Sequence, residues 1–239
     1  MTGWELLLVG AVLAVGALIQ GAVGFGMNLL AAPLLALVEP RLVPAPLLVA
    51  AVSLTVLVAH RERRSVDLAG VSWTLGGRIP GTIAGALFVA ALPKRAVVLA
   101  VGVTVLVAVV LTALRLPLRP NPPTLLTAGA VSGFSGTVSS IGGPPVAVVY
   151  AGEPGPVVRG TLSVIFVVGG IISIASLAAL GEVGRYEALA SVALQPPLLL
   201  GYLFSKRLAT HLDAGRTRAA VLTVASIGAV SVLLREALR

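Results

Sequence analysis

The chain has 239 residues, of which 57% are hydrophobic, only 11% are charged and none is cysteine. Soluble domains carry about 25% charged residues, so the composition excludes an ordinary soluble domain, and the lack of cysteine excludes disulfide scaffolds, cysteine-bound metals and thiol nucleophiles. The net charge of +8 comes mostly from arginines in short loops, which favours a role in membrane orientation over nucleic-acid binding.

Apolar segments long enough to cross a hydrocarbon layer of about 30 Å recur along the whole sequence and predict an all-α integral membrane protein. They cover residues 4–38, 42–59, 68–91, 96–114, 124–150, 160–180, 188–205 and 217–234. The first segment carries Glu5 where a cleaved signal peptide would carry positive charge. We therefore expect this segment to be retained in the membrane.

The first and fifth segments differ from the other six because glycines interrupt them. Residues 4–38 contain the run Gly21-Ala22-Val23-Gly24-Phe25-Gly26, and residues 124–150 contain a run from Ser132 to Pro145 that ends in Gly142-Gly143-Pro144-Pro145. Glycine and proline at this density break helices. Each segment is therefore predicted to form two half-helices around a non-helical stretch.

The two interruptions belong to an internal duplication. Gly21-x-x-Gly24 and Pro33 align with Gly133-x-x-Gly136 and Pro145 at an offset of 112 residues, and Lys94-Arg95 aligns with Lys206-Arg207 at the same offset. The alignment predicts two transmembrane repeats, residues 1–114 and 115–239. Each repeat would contain one broken helix followed by three transmembrane helices.

Two topologies fit this pattern. If both broken segments cross the membrane, the repeats are parallel and the loop lysines and arginines divide eight against eight. If each broken segment re-enters on its own side, the repeats are inverted and the division is ten against six. The positive-inside rule and the frequency of inverted repeats in transporters favour the second topology. It places both termini outside the cytoplasm. We expect the membrane to be a cell inner membrane. The richer, cytoplasmic face then holds Arg61, Arg63, Arg64, Arg115, Arg119, Arg159, Lys206, Arg207, Arg216 and Arg218.

The two breaks are expected to form a shared cavity that binds an anion. The second half-helices would begin near Asn28 and near Ser139-Ser140, residues that favour helix N-caps, and their amide groups and positive dipole ends suit an anion. The competing interpretation is that the glycines only allow close helix packing. The candidate substrate-binding residues are Gln20, Gly24, Phe25, Gly26, Asn28, Arg78, Ser135, Gly136, Thr137, Ser139, Ser140, Gly142, Gly143 and Gln195.

Arg78 is the one charged residue well inside a predicted span. A central arginine costs about 2.5–3.5 kcal/mol on insertion scales, so it requires a function such as lining a substrate path. Alternatively, if the span begins near Leu75, Arg78 extends to the interface. Gln195, before Pro196-Pro197, lies near the equivalent place in the second repeat. No Asp or Glu lies mid-span, and the sequence predicts no catalytic residue, metal or cofactor.

At the hexapeptide Gly21 to Gly26 and at the run from Ser132 to Pro145, the sequence resembles the TauE/SafE family of permeases. The resemblance extends over the full length. It implies an anion permease whose substrates are sulfite, organosulfonates or related sulfur-containing anions. We therefore expect a transporter that works by alternating access, with a small anion and the lipid bilayer as its partners. An anion channel and a non-transporting membrane scaffold are the alternatives.

Overall fold

A computed structural model of the chain describes residues 3–23, 26–114, 118–208 and 214–238, and the regular structure in these ranges is helical. Short 3-10 turns at Pro40–Leu42 and Arg63–Ser65 flank the third helix. The α-helices are α1 Gly3–Val23, α2 Met27–Val38, α3 Ala45–Glu62, α4 Leu68–Ala91, α5 Lys94–Leu114, α6 Pro122–Ser139, α7 Gly143–Val149, α8 Gly155–Ala179, α9 Arg185–Ala193, α10 Gln195–Leu208 and α11 Ala214–Ala237.

Within the described ranges, seven helical segments are long and apolar enough to cross a membrane. Six of them correspond to the six uninterrupted segments of the sequence, and the seventh is α1, the first limb of the first break. The prediction of an all-helical membrane protein is thereby confirmed. The candidate spans are Gly3–Gly21, Pro40–Ser65, Leu68–Ala91, Lys94–Leu114, Gly155–Ala179, Arg185–Ser205 and Ala219–Ala237.

The chain reverses direction between α1 and α2. A β-carbon on Gly16 would lie 2.9 Å from Cγ and 3.3 Å from Cα of Met27, although a continuous helix would separate these residues by about 16 Å. Gly26 precedes α2 with φ 120°, a left-handed conformation that glycine adopts without steric cost. The predicted break is thus present, and α2 folds back along the end of α1.

The second break is shorter than the sequence predicts. Residues 132–139 belong to α6, and only residues 140–142 separate α6 from α7. Ser140 ends α6 in a left-handed conformation with φ 63°. The following chain returns against α6, because the hydroxyls of Ser135 and Ser132 donate to the carbonyls of Ile141 (2.9 Å) and Gly142 (2.6 Å).

Glycines bring two pairs of helices into backbone contact. A β-carbon on Gly77 of α4 would collide with the carbonyl of Leu126 in α6, and one on Gly133 of α6 would collide with the carbonyl of Arg78. In the same way, α10 packs against α1 through Gly201. Small residues at helix contacts are typical of membrane bundles. For Gly133, the interpretation that the glycine allows close helix packing therefore holds.

The helix ends gather in two groups, which we call the Asp67 end and the Arg41 end. At the Asp67 end, the Asp67 side chain caps α4 and accepts a hydrogen bond from the Tyr150 hydroxyl (2.8 Å), and its backbone N–H donates to Thr161 of α8 (3.0 Å). Burial and this bond to Asp67 raise the pKa of Tyr150, so its hydroxyl stays a donor near neutral pH. At the Arg41 end, Arg41 of the turn before α3 pairs with Glu187 of α9 at 2.8 Å.

Candidate functional site

A small cavity lies where the two breaks face each other. Its free volume of about 50 Å³ is enough for a few water molecules or one small oxyanion. The side-chain amide of Asn28 in α2 donates to the carbonyl of Ser140 in the second break at 2.6 Å, which joins the breaks directly. The cavity is lined by Gln20, Gly26, Asn28, Leu29, Leu48, Ala51, Val52, Thr55, Arg78, Gly136, Ser140, Ile141, Gly142, Gly143, Pro144, Phe166 and Gly170.

The guanidinium of Arg78 lies in this cavity and does not extend to the membrane interface. The residue is 3% exposed, and its Nη1 donates to the Ser132 hydroxyl. The guanidinium carbon lies 5.4 Å from the centre of the Phe166 ring, a cation–π distance. Gly169 of α8 leaves room for the Arg78 side chain, since a β-carbon at this position would collide with it. The alternative in which Arg78 snorkels is therefore excluded.

The positive charge of Arg78 has no carboxylate partner among the described residues. Arg41 pairs with Glu187, and Arg159 pairs with Glu62, but both pairs lie at helix ends. In the described part of the chain, Nε and Nη2 of Arg78 have no hydrogen-bond partner. A buried charge without a counter-ion is strongly unfavourable. An anion in the cavity would supply both the charge and the missing acceptors.

Most of the hydroxyl groups expected to bind the ligand are engaged elsewhere. Ser135 donates to the Ile141 carbonyl (2.9 Å), Ser139 donates to the Ser135 carbonyl (2.8 Å), and Thr137 shares a hydrogen bond with Ser173 (2.8 Å). None of these three serine and threonine residues lines the cavity. Ser140 lines it, but its hydroxyl donates to the carbonyl of Pro44 at 2.9 Å. These groups hold the second break in shape.

The predicted N-caps of the half-helices are wrong. Gly26 precedes α2, and Asn28 is its second residue, while Gly142 precedes α7 and Ser140 ends α6. The first N–H of α2 donates to Oε1 of Gln20 at 3.2 Å, and helical geometry leaves the next two N–H groups without intrahelical partners. The start of α7 offers fewer free N–H donors, because its second and third residues are prolines and carry no N–H.

The remaining candidates divide into three groups. Gly136, Gly142 and Gly143 line the cavity, as Gln20 and Gly26 do. Gly24 and Phe25 lie outside the described residues. Gln195 does not line the cavity; its side-chain amide donates to the Ser191 carbonyl of the preceding helix at 2.8 Å.

The sequence did not identify Ser132, Thr55, Phe166 and Gly169 as site residues. Ser132 lies within the predicted break, and the pair Gly169-Gly170 in an apolar span signals close approach to the backbone. A threonine or a phenylalanine in an apolar helix gives no such signal. Their role depends on helices distant in the sequence.

A wider hollow, of about 520 Å³, lies at the Arg41 end. It is lined by the turn around Arg41 and Pro44, the start of α5 with Lys94, and the turn between α8 and α9. An apolar cluster connects it with the cavity, since the cluster contains Ala45, which lines the hollow, and Leu48, which lines the cavity. Apolar side chains therefore lie between the two spaces.

A family model described as Sulfite exporter TauE/SafE matches residues 8–232, nearly the whole chain. No curated protein and no solved structure matches the chain. The chain therefore belongs to the TauE/SafE family. Together with its candidate spans, this membership makes it a membrane permease of a sulfite exporter family, which is a family of transporters.

Proposed function

We propose that this TauE/SafE family member is a secondary transporter for a small sulfur-containing anion, of the class of sulfite, organosulfonates and related species. The observation that supports this most directly is the unpaired guanidinium of Arg78 in the cavity between the two breaks. An intramembrane charge that faces a cavity is typical of a substrate pathway. Its sign selects an anion, and the small cavity favours a compact one.

We propose further that residues 1–114 and 115–239 form two inverted repeats. In this alignment α3 corresponds to α8. A β-carbon on Gly160, near the start of α8, would lie 2.9 Å from the carbonyl of Glu62 at the end of α3, and one on Gly170 would contact Val52. These contacts mean that α3 and α8 are antiparallel. Parallel repeats would run corresponding helices in the same direction, so this packing supports inversion.

In this proposal, each break is a re-entrant hairpin. α6 runs parallel to α4, since Gly77 and Gly81 of α4 contact Leu126 and Ala130 of α6, and therefore enters from the Asp67 end. After α7, Tyr150 is again at the Asp67 end, where its hydroxyl binds Asp67. The chain then continues into α8 from the same end.

The Asp67 end is the cytoplasmic face in this topology. Arg61, Arg63, Arg64 and Arg159 belong to the helix ends that meet there. The positive-inside rule places such a cluster in the cytoplasm and both termini on the opposite side of a cell inner membrane.

Alternating access requires that both exits from the cavity can close. Towards the Asp67 end, Arg61 donates to the carbonyl of Gly21 at 2.9 Å, and Glu62 accepts hydrogen bonds from Arg61 (3.2 Å) and Arg159 (3.0 Å). Towards the Arg41 end, the apolar cluster with Ala45 closes the path. Barriers on both sides of one site favour a carrier over an open channel.

Transport is tested with purified protein in liposomes and labelled sulfite at mildly alkaline pH, with protein-free liposomes as the control. A carrier gives saturable uptake that unlabelled sulfite on the opposite side accelerates. Uptake that does not saturate and is not accelerated would indicate a channel. Uptake no faster than in protein-free liposomes, for sulfite and for methanesulfonate, would contradict the proposal and favour a scaffold.

A further inference from the structure

We propose that the cavity binds its substrate as a monoanion that still carries one proton, as hydrogen sulfite does, with Arg78 balancing the charge and Asn28 accepting the proton's hydrogen bond. This inference rests on the proposed transport function and specifies the chemical form of the substrate. It is carried by two buried atoms without partners, one on each of these residues.

The first argument is the charge of the site. Arg78 is the single charged residue that lines the cavity among the described residues. In the described parts of the surrounding helices, the titratable side chains of α3 and α8 are His60, Arg61, Glu62 and Arg159. They lie at the Asp67 end, where Glu62 pairs with both Arg61 and Arg159. A monoanion neutralises one guanidinium. A dianion would leave a net negative charge in a low-dielectric cavity, which is costly.

The second argument is the orientation of the Asn28 amide. Its near neighbour, the carbonyl oxygen of Ser140 at 2.6 Å, can only accept a hydrogen bond, so the amide nitrogen must face it. The amide oxygen Oδ1 is then fixed on the other side. This oxygen is buried and has no hydrogen-bond partner within the described structure.

An unpaired buried acceptor selects ligands that donate. Nearby protein donors do not fill this role, because the Ser140 hydroxyl donates to Pro44 and the first N–H of α2 donates to Gln20. A buried polar atom without a partner is unfavourable, so a ligand with an O–H at this position gains affinity over one without. A hydrogen oxyanion presents bare oxygens to Arg78 and one O–H to Asn28.

This form of the substrate also accounts for the lack of a proton relay. No Asp or Glu lies mid-span in the sequence, so the protein has no obvious membrane-embedded carboxylate to carry a proton. If the proton travels on the substrate, none is needed. Each transport event then moves one negative charge and one proton together, and the proton dissociates on the more alkaline side.

The experiment compares three anions in liposomes that contain the purified protein and a luminal pH indicator. Sulfite gains its proton near neutral pH, methanesulfonate is a monoanion that carries a methyl group on sulfur and no O–H, and sulfate stays a dianion. Liposomes with the Arg78→Met variant correct for diffusion of sulfur dioxide. At fixed total sulfite, we expect the Arg78-dependent flux to rise as the pH falls from mildly alkaline to neutral, with one proton delivered per sulfur. Methanesulfonate flux should be about tenfold lower and independent of pH, and sulfate flux lower still.

The Asn28→Ala variant separates recognition of the proton from a structural role. Loss of the amide donor to Ser140 affects all substrates, whereas loss of Oδ1 affects only the ligand that donates to it. We expect the sulfite-to-methanesulfonate preference to fall about tenfold, while the surface variant Arg64→Gln keeps it.

Two results would overturn the inference: sulfite flux that rises with pH, or an Asn28→Ala variant that reduces both substrates equally. Flux that is the same in wild-type and Arg78→Met liposomes but faster than in protein-free liposomes would also overturn it. Flux no faster than in protein-free liposomes would instead contradict the transport function itself.

Discussion

Replacing Arg78 by methionine removes the buried charge and keeps an unbranched side chain that reaches about as far as Nε. Two of its nitrogens, Nε and Nη2, have unused donor capacity within the described structure. If the cavity binds an anion, those groups supply the attraction, and the variant should lose it. If instead Arg78 only stabilises the fold through Ser132, the variant should melt at a lower temperature.

The size of the effect follows from the hydrogen bonds at stake. A hydrogen bond to a charged group contributes about 1.5–3 kcal/mol, so two such bonds contribute at least about 3 kcal/mol and weaken binding by about 100-fold when lost. The unliganded variant should be no less stable. Removal of a mid-membrane arginine relieves an insertion cost of about 2.5–3.5 kcal/mol, which offsets the lost bond to Ser132, worth about 1.5–3 kcal/mol.

Thermal unfolding of the purified protein, with and without sulfite, measures both quantities. An anion at 100 times its dissociation constant stabilises the wild-type protein by about 2.7 kcal/mol, and a 100-fold weaker complex under the same conditions gains about 0.4 kcal/mol. Arg64→Gln, which removes an exposed charge, is the matched control and should keep the full shift. An Arg78→Met protein that retains the sulfite-induced shift would refute the assignment of the site.

Three further predictions concern packing, closure and topology. Gly77→Ala should lower the free energy of unfolding by about 1–3 kcal/mol, and with it the melting temperature, because its β-carbon would meet the Leu126 carbonyl. The neighbouring Gly76→Ala is the control and should be neutral, since its β-carbon would lie 3.4 Å from the Leu126 side chain. Equal melting temperatures of the two variants would contradict the α4–α6 register. Glu62→Gln removes the carboxylate that Arg61 and Arg159 share, which should weaken the closure by about 1 kcal/mol. A single cysteine introduced at Thr55 of this cysteine-free chain should then react about fivefold faster with a thiol reagent added from the cytoplasmic side. An unchanged reaction rate would argue against closure by Glu62. A reporter that is active only in the cytoplasm should be silent when fused after the last residue, and a signal there would exclude the inverted topology.

The helix boundaries were predictable where chemical signals mark both ends. The predicted span 68–91 coincides with α4, because Asp67 caps its start with a hydrogen bond to the Gly70 N–H (2.9 Å) and Pro93 follows its end. The second break was not predictable in this way. Gly133 permits contact with α4 without interrupting α6, and composition does not distinguish a glycine that breaks a helix from one that packs it.

The sequence identified Arg78 as costly but did not decide where its side chain lies. That depends on Ser132 of α6, Gly142 of the second break and Phe166 of α8, which have no sequence pattern linking them to Arg78. The expectation that the serine and threonine hydroxyls of the second break bind the ligand fails for a related reason. A sequence shows how many donors a segment carries, but the folded chain determines whether the break's own carbonyls already use them, as they do for Ser135.

The hydrogen bonds around Arg78 suggest how an anion could couple to movement. The Ser132 hydroxyl accepts from Arg78 and donates to the Gly142 carbonyl, so the guanidinium is connected to the second break, and the Asn28–Ser140 bond connects that break to the first. Glycine contacts join α4 to α6, and they join α1 both to α10 and, at Gly16, to Met27 of α2. We expect each of these closely packed groups to move as a unit. A ligand shifts a conformational equilibrium only by its difference in affinity between the two states. An anion that binds Arg78 on one unit and Asn28 on the other meets this condition, because rotation of the units against each other changes both contacts at once.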